Sequence, residues 1–368
     1  MTDGWGTHGS GVGDALRAQH SGLGEYYERR HFYLEVFRDG SSTLENSLPL
    51  AEASAFAEAL KQTSLHDDAK ESINSHSFSM SNVIRTGDFT ECQIPTCLIS
   101  IGQYHLKEDR CFYPRRDTCG CSFHHNLDMA VKVAVKESVE RQLLIKFWLT
   151  GECSGHISLA QAMTLLDHCN TQLLSLLSES GELNFFDLSD MRFPGACVLA
   201  TYGNASPKRD VRYCAGMSYS SNLVEAIEKS IFELWQTFRF MAGYKYTTPQ
   251  DSPALDPYLE HFLNCNNYAT FLDIKDNTVA TISKHIPNPE PLNTESLLTS
   301  LKRHGFGGYL YIRPETIGTH TFYYCKFVSP DFFLHMNNSA NINTSNKFSS
   351  AFQDRIIPSR RSVMVPFP

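Results

Sequence analysis

Ala134-Val-Lys-Glu137-Ser-Val-Glu140-Arg141-Gln142 sets two carboxylates three residues apart inside an apolar stretch. On an α-helix, positions i and i+3 share a face, so Glu137 and Glu140 point the same way. The pattern has two further copies. One reads Ser21-Gly-Leu-Gly-Glu25-Tyr-Tyr-Glu28-Arg29-Arg30; the other reads Ala226-Ile-Glu-Lys-Ser230-Ile-Phe-Glu233-Leu-Trp-Gln236. Like charges at this spacing repel by roughly 0.2–0.5 kcal/mol on an exposed helix, and apolar neighbours make an uncompensated charge costlier. A lone E-x-x-E is ordinarily a solvated helix face; its recurrence beside bulky apolar residues is what points to a cation. An all-oxygen donor set suits Mg²⁺, which usually also holds nucleotide phosphates. The leading acids lie 112 and 96 residues apart (137 − 25 and 233 − 137), which fits a duplicated α/β unit better than a short-period array.

Composition narrows the alternatives. The chain has 368 residues, of which 42% are hydrophobic, enough for a sizeable core. That length allows two or three domains or one large α/β domain. A net charge of −8 argues against a general nucleic-acid binder. The opening Met-Thr-Asp-Gly-Trp-Gly is not a secretory signal, and no apolar run approaches the ~20 residues that span a bilayer, so a soluble cytoplasmic protein with no membrane partner is expected. The 11 cysteines are irregularly spaced, as expected of reduced, mostly buried thiols.

Apolar periodicity predicts helices over 13–36, 51–63, 126–149, 158–179, 221–241 and 257–264. It predicts strands over 93–102, in two short runs within 183–202, and over 211–219, 308–313 and 321–328. Residues 1–12 read as an irregular lead-in and 111–125 as a loop dense in Cys, Arg and His.

Several single residues are candidates beside the acidic pairs. Arg17 shares a helix face with Ser21, Glu25 and Glu28, and either reaches a phosphate or pairs with Glu28 or Asp14. Arg115 and Arg116 offer phosphate-binding forks. Lys229 either meets a phosphate or pairs with Glu225 or Glu233. Cys119-Gly-Cys121-Ser-Phe-His124-His125 does not have the spacing of a standard zinc site; it reads better as a tight loop that positions the next helix N-terminus. P-loop, Rossmann, kinase and nucleophile-elbow motifs are missing, so any ATP must sit in a different cradle.

The triple pattern S-x-x-x-E-x-x-E-R, N-x(10)-E-x-x-E-R and E-x-x-Q resembles the YcaO superfamily of ATP-dependent peptide-backbone enzymes. The strings EYYERRHF (25–32), FYPRRDTCGCSFH (112–124), GMSY with SxxELWQ (216–236), VSPDFFLHMNNS and the final MVPFP extend that resemblance to its azole-forming members, over about 13–368. The resemblance implies an α/β (α+β) fold of duplicated sheet-plus-helix units around a nucleotide site. It implies one domain over 1–368, whose Pro-containing tail 362–368 reaches the active site. It implies that Glu25, Glu28, Glu137, Glu140, Glu233 and Gln236 hold ATP and Mg²⁺, all but Gln236 touching the metal, with Ser21, Arg17, Arg116 and Asn126 also about the nucleotide.

The implied reaction is cyclodehydration of a ribosomally made precursor peptide. A Cys or Ser side chain attacks the preceding amide carbonyl, ATP phosphorylates the oxyanion, and loss of phosphate leaves a thiazoline or oxazoline. The carboxylate of Pro368 is then the general base. A leader-recognition (E1-like) subunit and an FMN-dependent azoline dehydrogenase are implied as separate chains of an antibiotic-peptide synthetase complex. The alternatives are a relative that activates the amide for thioamide or amidine formation, and a non-catalytic docking scaffold.

Overall fold

The computed structural model describes residues 9, 11, 15–102, 106–115, 117–166, 168–247, 257–281, 290–337, 339 and 341–367. The helices are α1 (Ala15–Leu34), α2 (Leu44–Ser47), α3 (Leu50–Thr63), α4 (Asp67–Ser72), α5 (Leu127–Thr150), α6 (Leu159–Leu165), α7 (His168–Ser180), α8 (Leu223–Thr247), α9 (Pro257–Asn264), α10 (Tyr268–Asp276) and α11 (Thr294–Arg303). The strands are β1 (Gly40–Ser42), β2 (Phe78–Arg85), β3 (Glu91–Pro95), β4 (Cys121–His124), β5 (Glu152–Cys153), β6 (Gly155–Ile157), β7 (Glu182–Asp187), β8 (Ala196–Gly203), β9 (Tyr213–Ser220), β10 (Val279–Ala280), β11 (Tyr309–Ile317) and β12 (His320–Val328). The chain falls into two units, 1–142 with 293–363, and 143–292 with 364–368.

The first unit is built on an antiparallel sheet ordered β1-β2-β11-β12-β4, with β3 on β2. Its centre is the hairpin Tyr309–Val328, closed by the pair Ile317↔His320. Gly318 in that turn has φ +64, as tight hairpin turns require. Ala53, Phe56, Ala57 and Leu60 of α3 recur at helical spacing and are buried, with the Phe56 ring 5.0 Å from that of Tyr309. They join Phe32 of α1 and Phe78 and Met80 of β2 in one core.

The second unit is an antiparallel sheet, β6-β7-β8-β9. Both β8 and β9 are buried along their whole length. Their small residues let helices come close. A Cβ on Gly216 would lie 2.0 Å from the Leu234 amide nitrogen of α8, and one on Gly203 would lie 2.3 Å from the Phe271 ring of α10. Ala226, Ile227, Ile231 and Leu234 form the buried stripe of α8.

Several expectations are corrected. The run 93–102 is not one strand: β3 ends at Pro95 and a 3₁₀ turn, Thr96–Leu98, follows. Pro95 has no N–H for a ladder. The expected helix 158–179 is two helices, because Leu166 takes an extended conformation after α6. The expected loop 111–125 ends in a strand, β4, whose partner β12 lies some 200 residues on (Cys121↔Lys326; 326 − 121 = 205), beyond the reach of local pattern.

Candidate nucleotide and metal site

In the first unit α1 runs beside β4, with Tyr27 stacked on Phe123 at 5.7 Å. That places Glu25 and Glu28 near the acids of α5. Glu28 keeps part of its surface open to solvent. Even so, desolvation, then Glu137, then Glu25, push its carboxyl up to about 8, against the opposing charges of Arg29 and Lys326. Desolvation likewise raises Glu137 to about 7; Arg141 opposes the rise, while Glu140 and Asp117 add to it. Three of these acids also touch a helical neighbour: Glu25 with Arg29 at 2.5 Å, Glu137 with Arg141 at 3.8 Å, Glu140 with Lys136 at 3.6 Å. Carboxylates that raise one another's proton affinity are a site short of positive charge, and hard oxygens at a shared locus fit Mg²⁺.

Two residues of this cluster escaped the sequence reading. Lys326 is 6% exposed towards the end of β12, near Glu28. Its Nζ donates to the Asp117 carbonyl at 3.1 Å. The signal was a lone lysine in the apolar run TFYYCKFV. Asp117 organises the loop beneath it: its carboxylate accepts from the Cys119 N–H at 3.0 Å and the Met336 N–H at 2.7 Å. Gly120 then turns the chain at φ +74, where a Cβ would lie 2.7 Å from the Phe327 carbonyl oxygen. The loop does position the α5 N-terminus, as expected: His124 Nδ1 accepts from the Asn126 N–H at 2.9 Å.

The remaining first-unit candidates are placed as follows. Ser21 is exposed on α1. Asn126 is exposed and caps α5, accepting from the Met129 N–H at 2.9 Å. Arg116 lies outside the described residues, as does the side chain of Arg17.

In the second unit, Asn222 caps α8 in the same way, accepting from the Glu225 N–H at 3.0 Å. Asn126 and Asn222 each precede the leading acid by eleven residues (137 − 126 and 233 − 222), so the repeat includes the cap as well as the acids. Glu233 is exposed and Gln236 half-buried on α8. Lys229 pairs with Glu225 at 2.7 Å, the internal alternative to a phosphate. The chain end is held: Tyr213 Oη donates to the Pro366 carbonyl and Tyr258 Oη to the Phe367 carbonyl, both at 3.0 Å. The Phe367 ring lies 6.3 Å from those of Phe147 and Trp148. Pro368 lies outside the described residues.

Sheet-backed helices carrying paired oxygen side chains, without a P-loop, fit the class of Mg²⁺-nucleotide sites built on helical carboxylates. A family model described as YcaO cyclodehydratase, ATP- and Mg²⁺-binding, matches residues 9–332, and the chain belongs to the YcaO family. It is 35% identical over 369 residues to the microcin B17-processing protein McbD of Escherichia coli, covering 98% of this chain and 90% of that protein. A chain of the solved E. coli microcin synthetase McbBCD complex matches with a TM-score of 0.88 and 34% identity, over 97% of this chain and 90% of that one. The same complex with pro-MccB17 bound matches with a TM-score of 0.88 and 33% identity, over 98% and 90%. The chain is thus an ATP- and Mg²⁺-dependent cyclodehydratase.

Proposed function

We propose that this chain forms thiazolines and oxazolines from Cys and Ser residues of a ribosomally made precursor peptide, within an azole-forming synthetase that makes a microcin B-like product. The observation that carries the reading is the elevation of Glu28 and Glu137, by burial first and then by neighbouring acids (Glu137 and Glu25 on Glu28, Glu140 and Asp117 on Glu137), which marks a carboxylate cluster suited to a cation. Bound Mg²⁺ would neutralise phosphate charge as the γ-phosphoryl passes to the amide oxygen. Glu25, Glu28, Glu137, Glu140 and Glu233 hold it, with Gln236 beside them on the nucleotide. Ser21, Arg17, Arg116, Asn126 and Lys229 lie about the phosphates and sugar in this reading. For Asn126 and Lys229 that role competes with the cap and the ion pair they make.

The tail 362–368 is proposed to reach the reacting peptide, with the carboxylate of Pro368 taking the proton of the attacking thiol or hydroxyl. The anchoring of Pro366 and Phe367 supports this, since a chain segment already ordered loses less entropy on engaging substrate. The similarity to McbD, whose solved complex is McbBCD, supports a leader-recognition subunit and an FMN-dependent azoline dehydrogenase as separate partners. Among the described residues no helix is long and apolar enough to cross a membrane, which accords with a cytoplasmic synthetase.

The test is the intact mass of the precursor after incubation with this chain, its partners and Mg-ATP. Losses in steps of one water establish ring formation. A gain of sulfur in exchange for oxygen would move the assignment to thioamide formation. An unchanged peptide in a complex that forms but leaves ATP intact would make the chain a scaffold.

A further inference from the structure

We propose that His31, Glu35 and Glu315 form a structural divalent-cation site of the class that takes zinc, separate from the magnesium carboxylates. One ligand atom from each residue lies within 4.8 Å of the other two. His31 is 2% exposed, yet its Nδ1 has no hydrogen-bond partner. A buried ring nitrogen left in that state is costly unless something binds it.

The surroundings fix the ring for that purpose. His31 stacks on Tyr324 at 3.9 Å and 7°. Its Nε2 meets the Tyr311 hydroxyl at 3.2 Å. When Nε2 carries the proton and donates it there, Nδ1 presents its lone pair to the cluster, the arrangement that orients metal-bound imidazoles elsewhere. Glu35 lies one helical turn on. One of its oxygens is taken by Arg30; the other, Oε2, faces Nδ1 at 3.7 Å. That gap exceeds a hydrogen bond and is close to the ~3.3 Å that separates two ligands of tetrahedral zinc with bonds of about 2.0–2.1 Å. Glu315 supplies a third oxygen from β11. One imidazole and two carboxylates leave a fourth position for water, and the nitrogen favours zinc over magnesium.

The site would tie the last turn of α1 to the β11–β12 hairpin. His31 follows Glu28 by three residues (31 − 28), so a metal there would hold the face of α1 that carries the acidic pair.

The test uses the full-length chain, loaded with zinc, dialysed against metal-free buffer and counted by metal mass spectrometry. A competing chromophoric chelator gives the affinity. One zinc per chain is expected, bound roughly 10-fold or more weakly in Glu315→Gln and Glu35→Gln, whose partly or fully exposed side chains avoid the folding risk of changing His31. Cobalt in place of zinc should show no thiolate charge-transfer band. Absence of retained zinc, affinity unchanged in both variants, or a strong thiolate band would overturn the proposal.

Discussion

Glu28 and Glu137 hold protons at pH values where ordinary carboxylates have lost them, and that has a definite sign. A carboxyl whose folded value is raised stabilises the folded chain fully below the usual value of 4.5. That contribution fades as pH climbs through about 7 for Glu137 and about 8 for Glu28. A cation must displace those protons, so Mg-ATP should raise the melting temperature more at about pH 8.5 than at about pH 6. Calorimetric titration should likewise show tighter binding at the higher pH. Equal shifts at both would mean the two acids do not meet the metal. Lys326 holds the Glu28 value down, so Lys326→Met should move the acidic limb of the ATP-turnover profile alkaline by up to about one unit and lower turnover. At this scale the sequence showed the acids, because they recur; it hid Lys326 and Asp117, because each acts through a partner far away in the chain.

The elements were legible where they were long and periodic. The helices carrying the three signatures and the strands at 308–313 and 321–328 follow directly from spacing, whereas the hairpin that joins those strands through Ile317↔His320 does not. Phe78–Arg85 was not assigned, since its polar Ser79, Ser81 and Asn82 break a clear alternation. The Asn/Ser-rich stretch 337–350 has no apolar periodicity from which a structural role could be read. In fact Asn343 is fully buried, accepting from the Leu334 N–H at 3.0 Å and donating to the Phe332 carbonyl at 2.7 Å. Asn343→Ala should therefore cost about 2–4 kcal/mol, measurable by denaturant unfolding. Gly216→Ala, with its added methyl driven into the backbone of α8, should destabilise by at least about 2 kcal/mol and displace Glu233. A Gly216→Ala chain that melts and turns over like the parent would show that α8 can move aside freely.

For the whole molecule, the family was legible because the repeat and the tail are both in the sequence, whereas the division into two units was not. Residues 364–367 belong to the second unit although they end the chain. Phe367→Ala should loosen the tail, exposing it to carboxypeptidase. If the terminal carboxylate is the base, ring formation should slow by roughly 100-fold or more while ATP still binds. The central claim is that the recurring acids hold Mg-ATP for ring formation. Its most direct test is ATP consumption and peptide mass with Glu28→Gln, Glu137→Gln and Glu233→Gln, each first shown to be folded by thermal melting. The account predicts that each folded variant loses roughly 100-fold or more in both ATP use and water loss. Near-parental turnover in any of the three would contradict it.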